Sequence, residues 1–186
     1  MRPQKVEDQE LLTALMAVLR TKGYAGASLN ELASGSGLQK ASLYYRYPGG
    51  KQDIGKAVLS FVSEWLKMNV QDVLMNKNKP ADDRLNVALK NIDELYHGGK
   101  KACILRALSI GEGLHLFAEE IGLSMDLLLK AFTELGLDIG MDPYKAKETA
   151  MQVLISIQGS LVVARTLDDT SPFTNTLVRI RKMYYP

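Results

Sequence analysis

Apolar residues recur at three- and four-residue intervals along most of the chain, which is the period of a helix with one buried face. Breaks rich in glycine, asparagine or proline, such as 76–80, separate these stretches. The pattern therefore predicts an all-α protein with about nine helices. The expected helices are 3–22, 29–34, 39–45, 51–75, 81–96, 102–110, 114–135, 143–167 and 171–184.

The stretch 28–51 holds two short helical patterns around the small-residue break 35–37, which has the length of a helix-turn-helix corner. Ser28 and Glu31 have the spacing of a capping box, in which each side chain bonds the backbone N–H of the other residue. Basic side chains, hydroxyls and phenols on the outer face of the second helix suit phosphates, sugars and bases. The DNA contacts expected on these grounds are Lys40, Ser42, Tyr44, Tyr45, Arg46 and Lys51.

The order Leu-Ala, Gly-Leu, Lys-Ala-Ser-Leu-Tyr-Tyr and Tyr-Pro-Gly-Gly-Lys within this stretch resembles the DNA-binding signature of the TetR (tetracycline-repressor-like) transcriptional regulators. The resemblance covers roughly residues 7–60, and its Pro-Gly-Gly-Lys junction is similar to a subgroup that includes repressors of multidrug-efflux genes. It implies that Ser28 and Asn30 approach DNA and that Lys51 binds a phosphate. On the recognition helix, it implies contacts from Lys40, Ala41, Ser42, Tyr44, Tyr45 and Arg46.

Two positions depart from the family pattern. Gln39 stands where a Ser or Thr cap is common, and Arg46 stands where His or another aromatic residue is common. The first departure bears on the capping of the recognition helix, and the second bears on base preference. A structural helix corner without DNA is the alternative interpretation of the segment, but it leaves an aromatic, basic surface unexplained.

The distribution of charge supports a division into two domains. Residues 1–51 hold seven Lys or Arg against four Asp or Glu, whereas the remainder has a net charge of −1. The positive excess thus lies where the helix-turn-helix lies, as expected if that end meets phosphate. We expect a DNA-binding domain at 1–50, with its motif at 28–47, and a helical effector-binding and dimerisation domain at 51–186.

The middle of the predicted helix 143–167 is almost free of charge, so it must be covered on more than one side. Small residues along it let another helix approach closely. We predict that the last two helices form half of a two-fold four-helix interface, as the family resemblance also implies; a monomeric bundle core is the alternative. The expected interface residues are Ser156, Gly159, Ser160, Val163, Phe173, Leu177 and Ile180.

The central helices carry methionines and aromatic residues suited to an adaptable apolar pocket. Plain core packing is the alternative for any one of them, whereas the family resemblance implies an effector site between helices four and eight. Few charges fall in these stretches, so we expect a largely apolar or aromatic small molecule with one or two polar anchors. The expected lining residues are Trp65, Met68, Leu89, Ile92, Tyr96, Cys103, His115, Phe132, Met151 and Gln158.

The sequence offers little for catalysis. It contains no P-loop, no Gly-x-Ser-x-Gly elbow and no His-Glu-x-x-His, and two histidines with one cysteine argue against a metal site. We therefore expect no enzyme, cofactor or metal. The single Cys103 excludes an internal disulfide and suits a reducing compartment, and neither a signal peptide nor a membrane span is apparent. A cytoplasmic location is expected.

Together these features predict a ligand-controlled homodimer that places two recognition helices in successive major grooves of a palindromic operator, roughly 34 to 36 Å apart. An effector that prefers the other conformation would tilt the helix 51–75 and weaken DNA binding. Repression relieved by ligand is the default outcome, and activation stays open. The alternative is a helical ligand-binding or adaptor protein that keeps the fold without using DNA.

Overall fold

The structure is a computed structural model that describes residues 8–185. Within this range the chain forms nine helices and no strand, which confirms the predicted all-α fold. The predicted start of the first helix at Pro3 lies outside the described residues. The helices are α1 (Asp8–Gly26), α2 (Leu29–Gly35), α3 (Lys40–Arg46), α4 (the contiguous segments Lys51–Leu66, Lys67–Gln71 and Asp72–Met75), α5 (Ala81–Tyr96), α6 (Ile104–Leu108), α7 (Glu112–Asp138), α8 (Pro143–Leu167) and α9 (Ser171–Tyr184).

The helix ends follow local chemistry. The ends of α5, α8 and α9 lie where the sequence places them; at α8, Asp142 accepts hydrogen bonds from the next two free backbone N–H groups and Pro143 occupies the first turn. At Gly23, the expected stop of α1, the backbone leaves the helical conformation with φ 69° and ψ 176°, and a further helical stretch continues up to Gly26. Helix α6 is shorter than expected and α7 is longer.

The described chain forms two compact units. The N-terminal unit combines the chain up to Val62 with Ile104–Ile121, and the C-terminal unit combines Ser63–Cys103 with the chain from Gly122 onward. This division differs from the expected boundary after residue 50. The difference arises because α6 and the start of α7 return to pack with the N-terminal helices, a long-range contact that no local pattern encodes.

The core of the N-terminal unit supports the helix pair α2–α3. Leu15, Leu19, Leu32 and Leu43 are fully or almost fully buried in it, and their burial provides most of the stabilisation of such short helices. Helix α6 packs against α1. In the same unit, the rings of Tyr24 and Phe117 meet edge to face with centroids 5.0 Å apart. The short recognition segment therefore rests on a rigid support.

The C-terminal unit is built on the pairing of α8 with α9. Phe173 and Ile180 of α9 are fully buried, and the Tyr184 hydroxyl donates to the Phe132 carbonyl at 2.9 Å. Burial raises the pKa of Tyr184, so this hydroxyl keeps its proton at any ordinary pH. Arg181 of α9 also pairs with Asp82 of α5 at 2.9 Å.

Within the described residues, α8 is long and apolar enough to cross a membrane when judged by length and composition alone. A core helix passes the same test. Nine residues of α8 are buried in the C-terminal unit, and the remaining apolar residues form one exposed face.

Helix α4 is not a regular α-helix, because its middle segment Lys67–Gln71 is π-helical. The Asn69 side chain donates to the Trp65 carbonyl at 2.9 Å, and Asn91 of α5 donates to the Asn69 carbonyl at 2.7 Å. In a regular helix, residues four apart drift by about 40° per step around the axis. The wider π turn offsets that drift, so Leu66 and the positions four and eight residues later are all buried.

Candidate nucleic-acid interface

The start of α2 is fixed by the predicted capping box. The Ser28 hydroxyl oxygen accepts from the Glu31 backbone N–H at 3.2 Å, and the Glu31 carboxylate accepts from the Ser28 backbone N–H at 2.9 Å. Lys22 of α1 lies 2.6 Å from the same carboxylate. The hydrogen bond from Lys22 and the bonds from Ser28 lower the pKa of Glu31 to about 2, so the carboxylate is ionised at neutral pH.

A sharp turn then redirects the chain into α3. Gly37 takes φ 68°, a conformation that costs a glycine little. Gln39 precedes α3 without making a side-chain capping bond, so the departure from a Ser or Thr cap leaves this helix start without side-chain support. Leu43 is the buried residue of α3 and anchors it to the core.

The remaining side chains of α3 form an exposed surface, which we call the recognition face. Tyr45 is 89% exposed and Tyr44 is 44% exposed. The Tyr45 phenol, which is almost wholly in water, has no packing function, whereas both phenols offer hydrogen bonds and flat apolar rings to a partner. The recognition face consists of Lys40, Ala41, Ser42, Tyr44 and Tyr45, and the predicted contacts Ser28 and Asn30 on the α2 side are exposed as well.

The basic side chains of this surface differ in availability. Lys40 is exposed and has no ion pair among residues 8–185. Arg46 pairs with Asp8 at 2.8 Å. Lys51 donates to the Tyr24 carbonyl at 2.8 Å, and its Nζ lies 4.3 Å from the centroid of that ring. A phosphate would therefore compete with protein groups for Arg46 and Lys51, but not for Lys40.

The comparison with known proteins agrees with this geometry. Residues 11–58, which include α2, α3 and the turn between them, match the family model described as "Bacterial regulatory proteins, tetR family". Residues 11–58 belong to the TetR family of transcription regulators. They contain its DNA-binding helix-turn-helix, and proteins of this family are generally not enzymes.

Similar proteins extend the likeness over most of the chain. The HTH-type transcriptional regulator LmrA of Bacillus subtilis (strain 168) is 25% identical over 177 residues, covering 88% of this chain and 89% of the relative. The crystal structure of a TetR transcriptional regulator from Legionella pneumophila has TM-score 0.80 at 20% identity and covers 98% of both chains. The regulatory protein TetR from Rhodobacter sphaeroides has TM-score 0.75 at 18% identity, covering 94% of this chain and 97% of that one.

The C-terminal unit contains a cavity. Its room for a water-sized sphere is about 20 Å³, about the space that one water molecule needs. The cavity is thus too small for a molecule larger than water. Its lining residues are Leu66, Ile92, Leu95, Tyr96, Leu128, Phe132, Leu154, Ile157 and Gln158.

Four of the ten predicted lining residues lie on this cavity: Ile92, Tyr96, Phe132 and Gln158. Cys103 is buried beside it and accepts a hydrogen bond from the Tyr96 hydroxyl at 3.5 Å.

The other five predicted lining residues lie elsewhere. Leu89 is buried, Trp65 is half-buried, and neither lines the cavity; Met68 and Met151 are exposed. His115 is exposed and belongs to the N-terminal unit.

The lining residues that sequence reasoning missed are aliphatic: Leu66, Leu95, Leu128, Leu154 and Ile157. Leu66 follows directly after Trp65 and is the last residue of the regular α-helical part of α4. Met68, two residues later, is 59% exposed. Leucines and isoleucines that line a cavity have no sequence pattern that separates them from other core residues.

One face of the last two helices is apolar and open to solvent. We call it the α8–α9 face, and it includes Gly159 and Val163 from the predicted dimer interface. A Cβ added to Gly159 would meet nothing within 4 Å. The face consists of Met151, Ile155, Gly159, Val162, Val163 and Leu167 of α8 with Val178 of α9.

The remaining predicted interface residues are less accessible. Phe173 and Ile180 are fully buried within the protomer, so a partner has no access to their side chains. Ser160 is buried and donates to the Ile157 carbonyl at 3.0 Å, while Ser156 and Leu177 are half-buried. Sequence periodicity did not separate the inner face of α9 from the outer one.

Proposed function

We propose that this TetR-family regulator is a repressor that binds palindromic operator DNA as a homodimer and leaves the DNA when a small apolar molecule enters the cavity. The observation that supports the DNA contact most strongly is the exposure of Tyr44 and Tyr45 beside the free Lys40. Such a protein acts in the cytoplasm, where DNA and effector are both accessible.

The recognition face has the chemistry of a major-groove reader. The Tyr45 ring can lie against thymine methyl groups and sugars. The Ser42 hydroxyl can donate to phosphates, and it can donate to or accept from base edges. Lys40 neutralises a phosphate without giving up a protein partner. Arg46 and Lys51 reach phosphates by exchanging Asp8 and the Tyr24 carbonyl, so they strengthen binding by less than a free cation does.

The α8–α9 face supports the homodimer. Its apolar residues lie on one side of α8 at spacings of three and four, and a second copy of the face would cover them. Gly159 lies in the middle of the face and allows close approach of two helices. A two-fold dimer presents two recognition faces, and these match the two half-sites of a palindrome.

The small volume of the cavity supports release from DNA by an effector. A ligand larger than water must push its walls apart, so the ligand favours an expanded conformation over the one described. Leu66 lines the cavity and belongs to the same helix that begins with Lys51. A shift of α4 would therefore reach the DNA-binding surface, and the loss of DNA affinity cannot exceed the differential affinity of the ligand for the two conformations.

The DNA contact is tested with the purified full chain and a fluorescent fragment from the region upstream of its own gene, with random DNA beside it. We expect preference for that fragment and a steep decrease in affinity as salt rises from 50 to 200 mM. Affinity for neither DNA at low salt would contradict the proposal and favour an adaptor that keeps the fold without using DNA.

The dimer is tested by light scattering of the full chain after size-exclusion chromatography. Ile155→Glu places a charge in the α8–α9 face, at a residue that is 57% exposed in the protomer, and should yield a folded monomer that binds DNA weakly. Leu123→Glu is the matched control, because Leu123 is 62% exposed on α7. A dimeric Ile155→Glu, or a wild type that is monomeric at micromolar concentration, would contradict the proposed interface.

A further inference from the structure

The cavity carries one polar atom whose hydrogen-bonding capacity is unused. Gln158 lines the cavity, and its Oε1 is buried without a hydrogen-bond partner among the described residues. Buried polar atoms of folded proteins are nearly always hydrogen-bonded, because burial without a partner costs free energy. An unused acceptor on an apolar wall is therefore a feature that a ligand can exploit.

The rest of the wall restricts which ligand can do so. No described lining residue carries a charge at neutral pH, and the lining outside Gln158 and Tyr96 is aliphatic or phenyl. The Tyr96 hydroxyl already donates to Cys103. A carboxylate or an ammonium group would lose its hydration here without gaining a counter-charge. The wall thus selects against ions and favours neutral molecules.

We infer that the cavity binds a neutral, mainly apolar molecule with one hydroxyl or N–H group, and that this group donates a hydrogen bond to Gln158 Oε1. The inference rests on the proposed function, because it specifies the chemical class of the proposed effector. The ligand pushes leucine and isoleucine side chains of the small cavity aside. It then makes apolar contacts with these same side chains. Its single donor removes the cost of the buried acceptor, whereas a purely apolar ligand leaves that cost in place.

The test uses two probes of nearly equal shape, 4-ethylphenol and 4-ethyltoluene, which differ by a hydroxyl in place of a methyl group. Binding to the full chain without DNA is measured by calorimetry and by the shift of the thermal unfolding midpoint. We expect the wild type to bind 4-ethylphenol about tenfold more tightly, the effect of one neutral hydrogen bond. This preference opposes the general hydrophobic trend, which favours the toluene.

Two variants test whether Gln158 causes the preference for 4-ethylphenol. Gln158→Leu should lose the preference or reverse it, because the acceptor is gone and the wall becomes fully apolar. Gln152→Leu removes a glutamine from the exposed side of the same helix and should keep the preference. The thermal midpoints of both variants without probe report whether they fold, and the comparison of probes on the wild type stands without either variant.

Equal affinity for the two probes, tighter binding of 4-ethyltoluene, or no binding of either by the wild type would overturn the inference, and so would a Gln158→Leu variant that keeps the preference. None of these results depends on DNA. If 4-ethylphenol binds as expected but does not weaken the complex with DNA, the ligand class stands and the proposed release by this ligand fails.

Discussion

The recognition face and the cavity show two ways of building a binding surface. The first lies within one short stretch, 28–51, and is exposed and polar; the neighbouring helix α2 is fixed by local bonds such as the capping box. The second is assembled from residues between Leu66 and Gln158, and it is apolar and small. A surface that meets a large, charged partner needs exposed groups on a rigid support, whereas a site for a small molecule derives affinity from enclosure.

The largest expected effect concerns the wall of the cavity. Phe132→Ala should lower the free energy of unfolding by about 3–5 kcal/mol, because a fully buried ring is deleted from a packed wall. Chemical denaturation of the full chain measures the change. Leu123→Ala, at an exposed position, is the control and should stay within about 0.5 kcal/mol of the wild type. A loss below about 1 kcal/mol for Phe132→Ala would mean that the wall is loosely packed.

A substitution on the recognition face should lower DNA affinity and leave the stability of the fold almost unchanged. Tyr45→Ala leaves the core intact and should keep the free energy of unfolding within about 0.5 kcal/mol. Affinity for the cognate fragment should fall by about 1–2 kcal/mol, or roughly 5- to 30-fold, as measured by fluorescence anisotropy. Tyr144→Ala is a control in the C-terminal unit, where Tyr144 is 80% exposed. Equal DNA affinities of the two variants would remove Tyr45 from the interface.

This contrast also explains what the sequence could predict. The capping box, the turn at Gly37 and the exposed tyrosines depend on neighbours within a few residues, so the sequence predicts them. The cavity depends on residues from helices far apart in the sequence and on leucines that resemble any other core residues. The contact between the rings of Tyr24 and Phe117 could not be predicted from local patterns either, since the two residues are far apart in sequence.

A smaller effect concerns the charge that restrains Arg46. Asp8→Asn removes the partner that lies 2.8 Å from this guanidinium and also removes a negative charge near the DNA. We expect affinity for DNA to rise by up to about fivefold at low salt and the gain to shrink as salt increases. Asp82→Asn, which breaks the pair with Arg181 in the other unit, is the control. Unchanged DNA affinity of Asp8→Asn would show that the pair does not limit Arg46.

The smallest effect is a pH dependence within the capping box. The folded-state pKa of Glu31 is about 2, below its usual value, so the stability it contributes is present above the unfolded pKa and is lost as pH falls toward 2. Wild type should therefore exceed Glu31→Gln in stability at pH 6, and the two should converge by about pH 2. Denaturation curves at several pH values measure the difference. A gap that stays constant over this range would contradict the assignment to the Glu31 charge.

The central claim, that DNA binds the recognition face of α3, is tested most directly by two lysine variants in a salt series. Lys40→Ala and Lys90→Ala each remove one exposed positive charge, the first from the recognition face and the second from α5. For Lys40→Ala, we expect the slope of log affinity against log salt to decrease by about one for each subunit bound. Lys90→Ala should keep the wild-type slope. Equal slopes for the two variants would contradict the account.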